Sequence, residues 1–155
     1  MKIEIPGVGD IDIRHLVFDY NGTLAVNGRL KPGVREAVAS LSDRVDFHVI
    51  TADTFGIVEK ELEGVDCRLA IIPKGNQAEA KAAYVRELVA SHVMAAGNGA
   101  NDRLMLKAAG IGIAVLLEEG TAIASLTAAD ILVKDVLDVF EFLKTPERLI
   151  ATLRT

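Results

Sequence analysis

Apolar and polar residues alternate with a two-residue period at the start of the chain. The isoleucines of 3–5 and 11–13 alternate with polar residues on either side of the turn sequence at 6–9, a pattern typical of a half-buried β-hairpin. A continuous apolar run then ends in a carboxylate, and the strand predicted at 16–19 therefore leads directly into the Gly-Thr turn that follows.

Strand and helix patterns alternate along the rest of the chain. The pair Asn27-Gly28 predicts a two-residue hairpin turn within 24–30, which makes this segment a small flap beside Asp19. Strands are predicted at 47–50, 67–72, 93–96, 111–116 and 130–133. A first helix is predicted from the helical spacing of Val34, Ala37, Val38 and Leu41, and a second from Phe55, Val58 and Leu62. Further helices are predicted near 76–90, 101–109, 120–127 and 135–144. This βαβ alternation predicts an α/β fold with a mainly parallel sheet that is covered on both faces.

Composition narrows the possible partners. The 155 residues contain no low-complexity stretch, which predicts one domain over 1–155. The net charge is -5 and the basic residues are scattered, so we expect neither a nucleic-acid nor a membrane partner. Half of the residues are hydrophobic, which is compatible with a homo-oligomer. The start of the chain has no apolar leader and Cys67 is the single cysteine, so we expect a soluble cytoplasmic protein without an intramolecular disulfide.

Chemically suggestive residues follow several predicted strands. Asp19 ends the first long strand, Thr51 follows the strand at 47–50, and the polar segment 97–102 follows the strand at 93–96. Lys81 lies on the face of its predicted helix that otherwise packs inward. Because ligands of parallel sheets bind beyond the carboxyl ends of the strands, these groups are expected to share one site.

That set of groups suits phosphate chemistry. A carboxylate such as Asp19 can attack phosphorus, while the Thr51 hydroxyl, turn amides and the Lys81 ammonium can hold the phosphate. Asp102 falls in the first turn of a predicted helix, where its charge suits the helix dipole and can reach the site. Two carboxylates this close repel each other, and Mg²⁺ or Lys81 would offset that repulsion.

Each residue also has a simpler interpretation. Asp19 alone could be an ordinary strand exit, Thr51 a helix N-cap, and Lys81 a surface lysine. Asp102 could serve only as a partner of the helix dipole. Their shared order and placement favour the phosphate site over these separate roles.

Two other kinds of site fit less well. The Gly97-x-Gly99 sequence is typical of dinucleotide loops, but Asp102 stands where the third glycine belongs and no acidic ribose partner follows. The histidines at 15, 48 and 92 border predicted strands without metal-ligand spacing along the chain. We therefore interpret them as structural residues.

Together the segments resemble the haloacid dehalogenase (HAD) superfamily of aspartyl-nucleophile phosphotransferases. Residues 19–24 resemble its first signature, Thr51 its second, Lys81 its third and 97–102 its fourth. The phosphorylation domain of P-type ATPases is the most similar group. Its order and spacing are followed by the segments 81–88, 97–102, 112–115 and 128–131.

The resemblance implies a three-layer Rossmann-like core without a cap domain, an aspartyl-phosphate on Asp19, and Mg²⁺ as cofactor. It implies catalytic roles for Asp19, Asn21, Thr51 and Lys81. Phosphate binding would fall to Gly22, Thr23, Thr51, Ala52, Lys81 and Asn101, and metal binding to Asp19, Asn21, Asn98 and Asp102. Because a cap is missing, the resemblance implies an open site for a phosphorylated small molecule or macromolecule.

Two positions depart from the superfamily pattern. Phosphatases that the chain resembles carry Asp at the position of Asn21, where it protonates the leaving group, and such general acid catalysis is typically worth ~10²–10⁴-fold in rate. Asn98 replaces the usual Asp of the fourth signature, and its neutral oxygen would hold Mg²⁺ more weakly than a carboxylate does.

Three functions follow from these observations. The leading hypothesis is a slow Mg²⁺-dependent phosphohydrolase or phosphotransferase that acts through Asp19. The alternative is a catalytically impaired phosphate-binding or regulatory protein. A phosphoaspartate receiver of the signalling type is disfavoured, because its acidic pair would follow the first strand and its phosphorylated Asp would lie on a middle strand.

Overall fold

A parallel sheet of six strands forms the centre of the computed structural model, which describes residues 1–52 and 56–155. Phe55, expected in the second helix, lies outside the described residues. The strands are β1 Lys2–Ile5, β2 Gly9–Asp12, β3 His15–Asp19, β4 Ala25–Val26, β5 Arg29–Leu30, β6 Asp46–Thr51, β7 Arg68–Ile71, β8 Val93–Gly97, β9 Ile111–Val115 and β10 Ile131–Val133. The helices are α1 Val34–Ala39, α2 Ile57–Glu61, α3 Gln77–Glu87, α4 Arg103–Ala108, α5 Ile123–Leu126, α6 Leu137–Lys144 and α7 Pro146–Leu153. The predicted parallel α/β fold is confirmed.

The order of the strands places β3 in the interior of the sheet. The order is β10-β9-β8-β3-β6-β7, and every neighbouring pair is parallel. β3 is therefore flanked by β8 on one side and by β6 on the other. Since β3, β6 and β8 are the strands that end in the predicted functional segments, the topology places those segments at one edge of the sheet.

Alternate residues of the central strands pack into two apolar clusters, one on each face of the sheet. Phe18 and Phe47 stack on Phe140 of α6, with ring centroids 5.2 and 5.8 Å apart. On the other face, Val17 packs in a cluster that includes Val85 of α3, Met105 of α4 and other buried residues. Burial on both faces explains why these strands are almost continuously apolar.

The predicted N-terminal hairpin and flap are confirmed. β1 and β2 pair antiparallel around the turn after Ile5, and β4 and β5 form a second, shorter antiparallel pair. The flap packs near the sheet edge, where the Asn27 backbone N–H donates to the Glu119 carboxylate at 3.2 Å.

Helix α7 was not predicted. Thr145 precedes its first residue, Pro146, which suits the first turn of a helix because proline there lacks only an N–H without a helical partner. Leu149 is fully buried and the last residue of the chain, Thr155, donates its backbone N–H to Pro6. The C-terminal segment is thereby joined to the N-terminal hairpin.

Among the described residues, no helix has the length and apolar character that crossing a bilayer requires.

Candidate active site

Asp19 lies at the carboxyl end of β3, where the chain turns away from the sheet. The Tyr20 carbonyl accepts the backbone N–H groups of Leu24 and Ala25 at 3.0 and 2.9 Å, which closes the turn. Gly22 within this turn has φ +77°, and a Cβ at that position would lie 2.3 Å from the Asn98 side chain. Glycine is therefore required there for both the backbone conformation and the close approach of the two loops.

A buried lysine joins two carboxylates at this edge of the sheet. The Lys81 Nζ, on the inward face of α3, lies 2.6 Å from Asp19 Oδ1 and 2.6 Å from Asp102 Oδ1. Lys81 is 1% exposed and Asp102 is 0% exposed. A charged lysine is rarely this buried unless it is paired, so the three groups form one electrostatic unit, and with both carboxylates ionised its net charge is negative.

Burial and charge compete within this unit. Burial raises the pKa of Asp19 most, the Asp102 carboxylate adds to this rise, and Lys81 opposes both effects, with a resulting pKa of about 7. Burial by itself lowers the pKa of Lys81, but the two carboxylates outweigh it and the pKa lies above its usual value. Lys81 therefore remains positively charged at neutral pH. The ionised form of Asp19 is disfavoured in this position, and a further positive charge close to it would stabilise that form.

Asp102 holds the loop that follows β8. Its Oδ2 accepts the backbone N–H groups of Asn98 and Gly99 at 3.0 and 2.9 Å, while its Oδ1 accepts from Lys81. A Cβ on Gly97 would lie 2.5 Å from the Asp102 carboxyl carbon, so glycine at 97 makes room for this carboxylate. These contacts engage both oxygens of Asp102 with protein donors.

Asn98 links the loop after β8 to the turn after β3. Its Oδ1 accepts from the Thr23 hydroxyl at 3.2 Å, and its Nδ2 donates to the Gly120 carbonyl at 3.0 Å. Thr23 is fully buried beneath this contact. The Asn98 side chain thus connects three loops at the carboxyl edge of the sheet.

A cavity of about 410 Å³ opens above these groups. Its lining residues are Asp19, Asn21, Thr51, Ala52, Gln77, Lys81, Asn98, Gly99, Asn101 and Glu119. Seven of the predicted site residues share this cavity: Asp19, Asn21, Thr51, Ala52, Lys81, Asn98 and Asn101. Three others do not line it. Gly22 and Thr23 lie against Asn98, and Asp102 is buried next to Lys81.

The sequence interpretation missed two residues that line the cavity, Gln77 and Glu119, and gave no individual role to Gly99 of the predicted segment 97–102. Gln77 is the first residue of α3, and its side-chain oxygen accepts from the Asn101 amide at 2.7 Å. Glu119 lies in the loop after β9. The rule that functional groups follow the strands, applied to β9 as well, would have identified Glu119.

The donor set of the cavity fits a hard divalent cation. Asp19, Asn21 and Asn98 line the same cavity and each carries a side-chain oxygen, and Mg²⁺ and Ca²⁺ prefer oxygen ligands. The negative charge of the unit formed by Asp19, Lys81 and Asp102 also favours a cation. Because Asn98 is neutral, the set carries less negative charge than one built only from carboxylates.

Curated proteins of an archaeon and a plant show sequence similarity to the chain, whereas no family model matches it. An uncharacterized protein of Methanocaldococcus jannaschii is 44% identical over 62 residues, which cover 40% of this chain and 67% of that protein. A probable copper-transporting ATPase of Arabidopsis thaliana is 37% identical over 123 residues, which cover 76% of this chain and 12% of the ATPase. The chain belongs to the same family as the archaeal protein and corresponds to a small part of the ATPase.

Solved structures with the same architecture include phosphatases and hydrolases. One is the 3-deoxy-D-manno-octulosonate 8-phosphate phosphatase of Moraxella catarrhalis, whose crystal structure contains a magnesium ion, a phosphate ion and a KDO molecule. It matches this chain with a TM-score of 0.71 at 16% sequence identity, and the match covers 92% of this chain and 94% of that chain. A protein of Legionella pneumophila described as a HAD-superfamily hydrolase has a TM-score of 0.69 at 14% identity, covering 91% and 87%. The chain therefore has the Rossmann-like fold of the HAD superfamily, which confirms the resemblance drawn from its sequence segments.

Proposed function

We propose that the protein is a phosphohydrolase or phosphotransferase in which Asp19 is the nucleophile. The observation that carries this proposal is the pairing of Asp19 with the buried ammonium of Lys81, at 2.6 Å, on the wall of an open polar cavity at the carboxyl edge of the sheet. Phosphoryl transfer depends mainly on positioning and on neutralising negative charge, and this arrangement supplies both. The phosphatases of the same fold support the same class of reaction.

In the proposed reaction, a carboxylate oxygen of Asp19 forms a bond to phosphorus while the bond from phosphorus to the leaving oxygen breaks. Lys81 balances the negative charge that the phosphoryl group brings into the cavity. Thr51, Ala52 and Asn101 line the same cavity and would bind the phosphoryl oxygens. Water then attacks the aspartyl-phosphate, which releases phosphate and regenerates the Asp19 carboxylate.

A bound Mg²⁺ would be held by Asp19, Asn21 and Asn98, which line the cavity and carry oxygen donors. The ion would supply positive charge between the carboxylate and the phosphate. The sequence interpretation also assigned Asp102 to the metal. Since its Oδ1 accepts from Lys81 and its Oδ2 accepts from two backbone amides, we instead propose that Asp102 positions Lys81 and the loop that carries Asn98.

Asn21 sets the expected speed of the reaction. It lines the cavity two residues after Asp19, but a carboxamide cannot protonate a leaving group. We therefore propose slow turnover on alkyl phosphates. The same neutral residue favours a second candidate function, a phosphate-binding or regulatory protein that retains the site without efficient catalysis.

The substrate class is a phosphorylated small molecule or a phosphorylated region of a macromolecule. The cavity is polar, and one of its lining residues contacts the short flap of β4 and β5. Glu119 contacts this flap through the Asn27 backbone, so a substrate would meet a carboxylate at the cavity mouth.

The proposal is tested by comparing the full chain with Asp19→Asn and with the exposed control Asp43→Asn. With Mg²⁺ and an activated ester such as p-nitrophenyl phosphate, we expect Asp19→Asn to lower kcat by ~10⁴-fold or more, while Asp43→Asn leaves it unchanged. Mass spectrometry after treatment with acetyl phosphate should detect a phosphoryl group on Asp19.

Activity that survives Asp19→Asn would contradict the assignment of the nucleophile. Phosphate binding at Asp19 and Lys81 without turnover or a phosphoryl adduct would support the binding protein instead.

A further inference from the structure

A second polar cluster lies at the amino edge of the sheet, at the opposite ends of the strands that build the phosphate site. His15 begins β3 and pairs in register with Asp46, which begins β6, and His48 follows two residues later on the same face of β6. The sequence interpretation treated these histidines as separate structural residues. Parallel pairing of β3 with β6 brings their side chains together.

The ligand atoms of these three residues converge. His15 Nδ1 lies 3.2 Å from His48 Nε2 and 3.4 Å from an Asp46 carboxylate oxygen, and the three ligand atoms all lie within 4.8 Å of one another. Ligand atoms bound to one tetrahedral zinc ion at 2.0–2.1 Å are separated by about 3.3 Å. Both distances measured from His15 match that separation.

Tyr84 orients the central histidine from the far side. The Tyr84 hydroxyl, on α3, lies 2.8 Å from His48 Nδ1, and the two rings pack edge to face. An Nδ1–H that donates to this hydroxyl oxygen leaves the lone pair of Nε2 pointed toward His15 and Asp46. Histidine ligands of metals almost always donate their second ring N–H to an oxygen in this way.

The cluster combines a buried histidine with a carboxylate that solvent can reach, as a metal-binding site requires. His48 is fully buried, so its ring is held inside the fold with Nε2 facing His15. The Asp46 side chain is 52% exposed, which leaves a path from solvent to the cluster. Arg68 pairs in register with His48, and its positive charge is opposed by the Asp46 carboxylate.

We propose that His15, Asp46 and His48 bind a divalent transition-metal ion of the Zn²⁺ type, with its fourth position open to solvent. Two imidazoles and one carboxylate are donors that Zn²⁺ accepts readily, whereas Mg²⁺ prefers oxygen alone. The proposed site is therefore chemically distinct from the cavity at Asp19 and does not depend on the proposed phosphatase activity.

The test is a titration of the metal-depleted full chain with Zn²⁺ in the presence of excess Mg²⁺, followed by a competing chromophoric chelator. We expect one equivalent of Zn²⁺ to bind and to raise the Tm. Replacing Zn²⁺ with Co²⁺ should give the intense visible absorption of a tetrahedral site with nitrogen ligands.

Variants assign the ion to this cluster. We expect Tyr84→Phe, which removes a partner of His48, to weaken binding by roughly 10- to 100-fold. Asp46→Asn, which neutralises a ligand, should weaken it at least as much, and His15→Ala should abolish it. His92→Gln, which changes a neighbouring histidine outside the cluster, and Asp19→Asn, which changes the phosphate site, should bind Zn²⁺ like the unchanged protein. Circular dichroism of each metal-free variant establishes that it is folded.

Two results would overturn the proposal. One is equal Zn²⁺ affinity in the unchanged chain, His15→Ala and Asp46→Asn. The other is loss of the single bound equivalent in Asp19→Asn alone, which would place the ion in the phosphate site.

Discussion

At the scale of single residues, the chemistry of the candidate active site depends on how neighbours change ordinary side chains. Lys81 remains charged although it is buried, because a carboxylate oxygen of Asp19 and one of Asp102 each lie 2.6 Å from its Nζ. Asn21 lines the cavity, and in the proposed reaction a carboxyl group at this position would act as an acid. One atom of difference between Asn and Asp therefore separates the two candidate functions.

Replacing Asn21 with aspartate is expected to speed hydrolysis of phosphate esters. The new carboxyl group can protonate the leaving oxygen and then activate water, so kcat on an alkyl phosphate should rise by about 10²-fold or more. The gain should be smaller for p-nitrophenyl phosphate, whose leaving group needs little protonation. Steady-state kinetics on both substrates measures the difference.

Asn27→Asp adds a carboxylate on the exposed flap and serves as the control for added charge, with no expected gain. A similar gain in this control, or the same gain with both leaving groups, would contradict a role for position 21 as the acid.

At the scale of elements, the close packing of helices on the sheet determines at which glycine positions a larger side chain would destabilise the fold. Gly112 lies in the middle of β9, against the backbone of α4, and a Cβ there would lie 2.3 Å from the Leu106 carbonyl oxygen. Backbone atoms cannot move aside as a flexible side chain does. The close approach of α4 also supports Asp102, which immediately precedes that helix.

Gly112→Ala is expected to reduce the free energy of unfolding by about 1–3 kcal/mol, because α4 must shift away from the sheet. Gly75→Ala is the matched control, since a Cβ at Gly75 meets nothing within 4 Å, and it should change stability by less than about 0.5 kcal/mol. Urea denaturation of both variants measures the effect. Equal stability of the two would show that β9 and α4 adjust without cost.

At the scale of the whole molecule, two strongly apolar clusters support a sheet that carries buried charge at one edge. The interior accommodates Asp19, Lys81 and Asp102 at the carboxyl edge, although removing charges from water is costly. Functional groups of this kind often reduce stability. The raised pKa of Asp19 indicates that its ionised form is the one the fold disfavours.

Asp19→Asn is therefore expected to stabilise the metal-free protein at pH 8. The pKa of Asp19 rises from 3.8 to about 7 on folding, so the folded state holds more protons and this carboxyl group's contribution to stability is lost as the pH rises through about 7. Since one pKa unit is worth ~1.4 kcal/mol, a rise from 3.8 to about 7 means that the variant should gain on the order of 4 kcal/mol at pH 8. The gain should shrink toward pH 4.

Denaturation in a chelating buffer at several pH values measures this dependence, with the exposed Asp43→Asn as control. A variant that is less stable than the unchanged chain at pH 8 would show that Lys81 favours the charged form of Asp19 more than burial disfavours it.

The sequence by itself determined the order of the elements and the main residues of the candidate site. Periodicity and turn chemistry are local, so the strands, the flap and the positions of Asp19, Thr51 and Lys81 could be read from short segments. Helix α7 and the cavity residue Glu119 were missed, although local signals for both are present.

Only the tertiary structure decided which side chains meet. The engagement of both Asp102 oxygens depends on the packing of α3 and of the loop after β8. His15 and His48 are 33 residues apart in the chain, and the register between β3 and β6 brings them together with Asp46. Such contacts depend on strand order, register and helix packing, which are fixed by long-range burial and leave no spacing along the sequence.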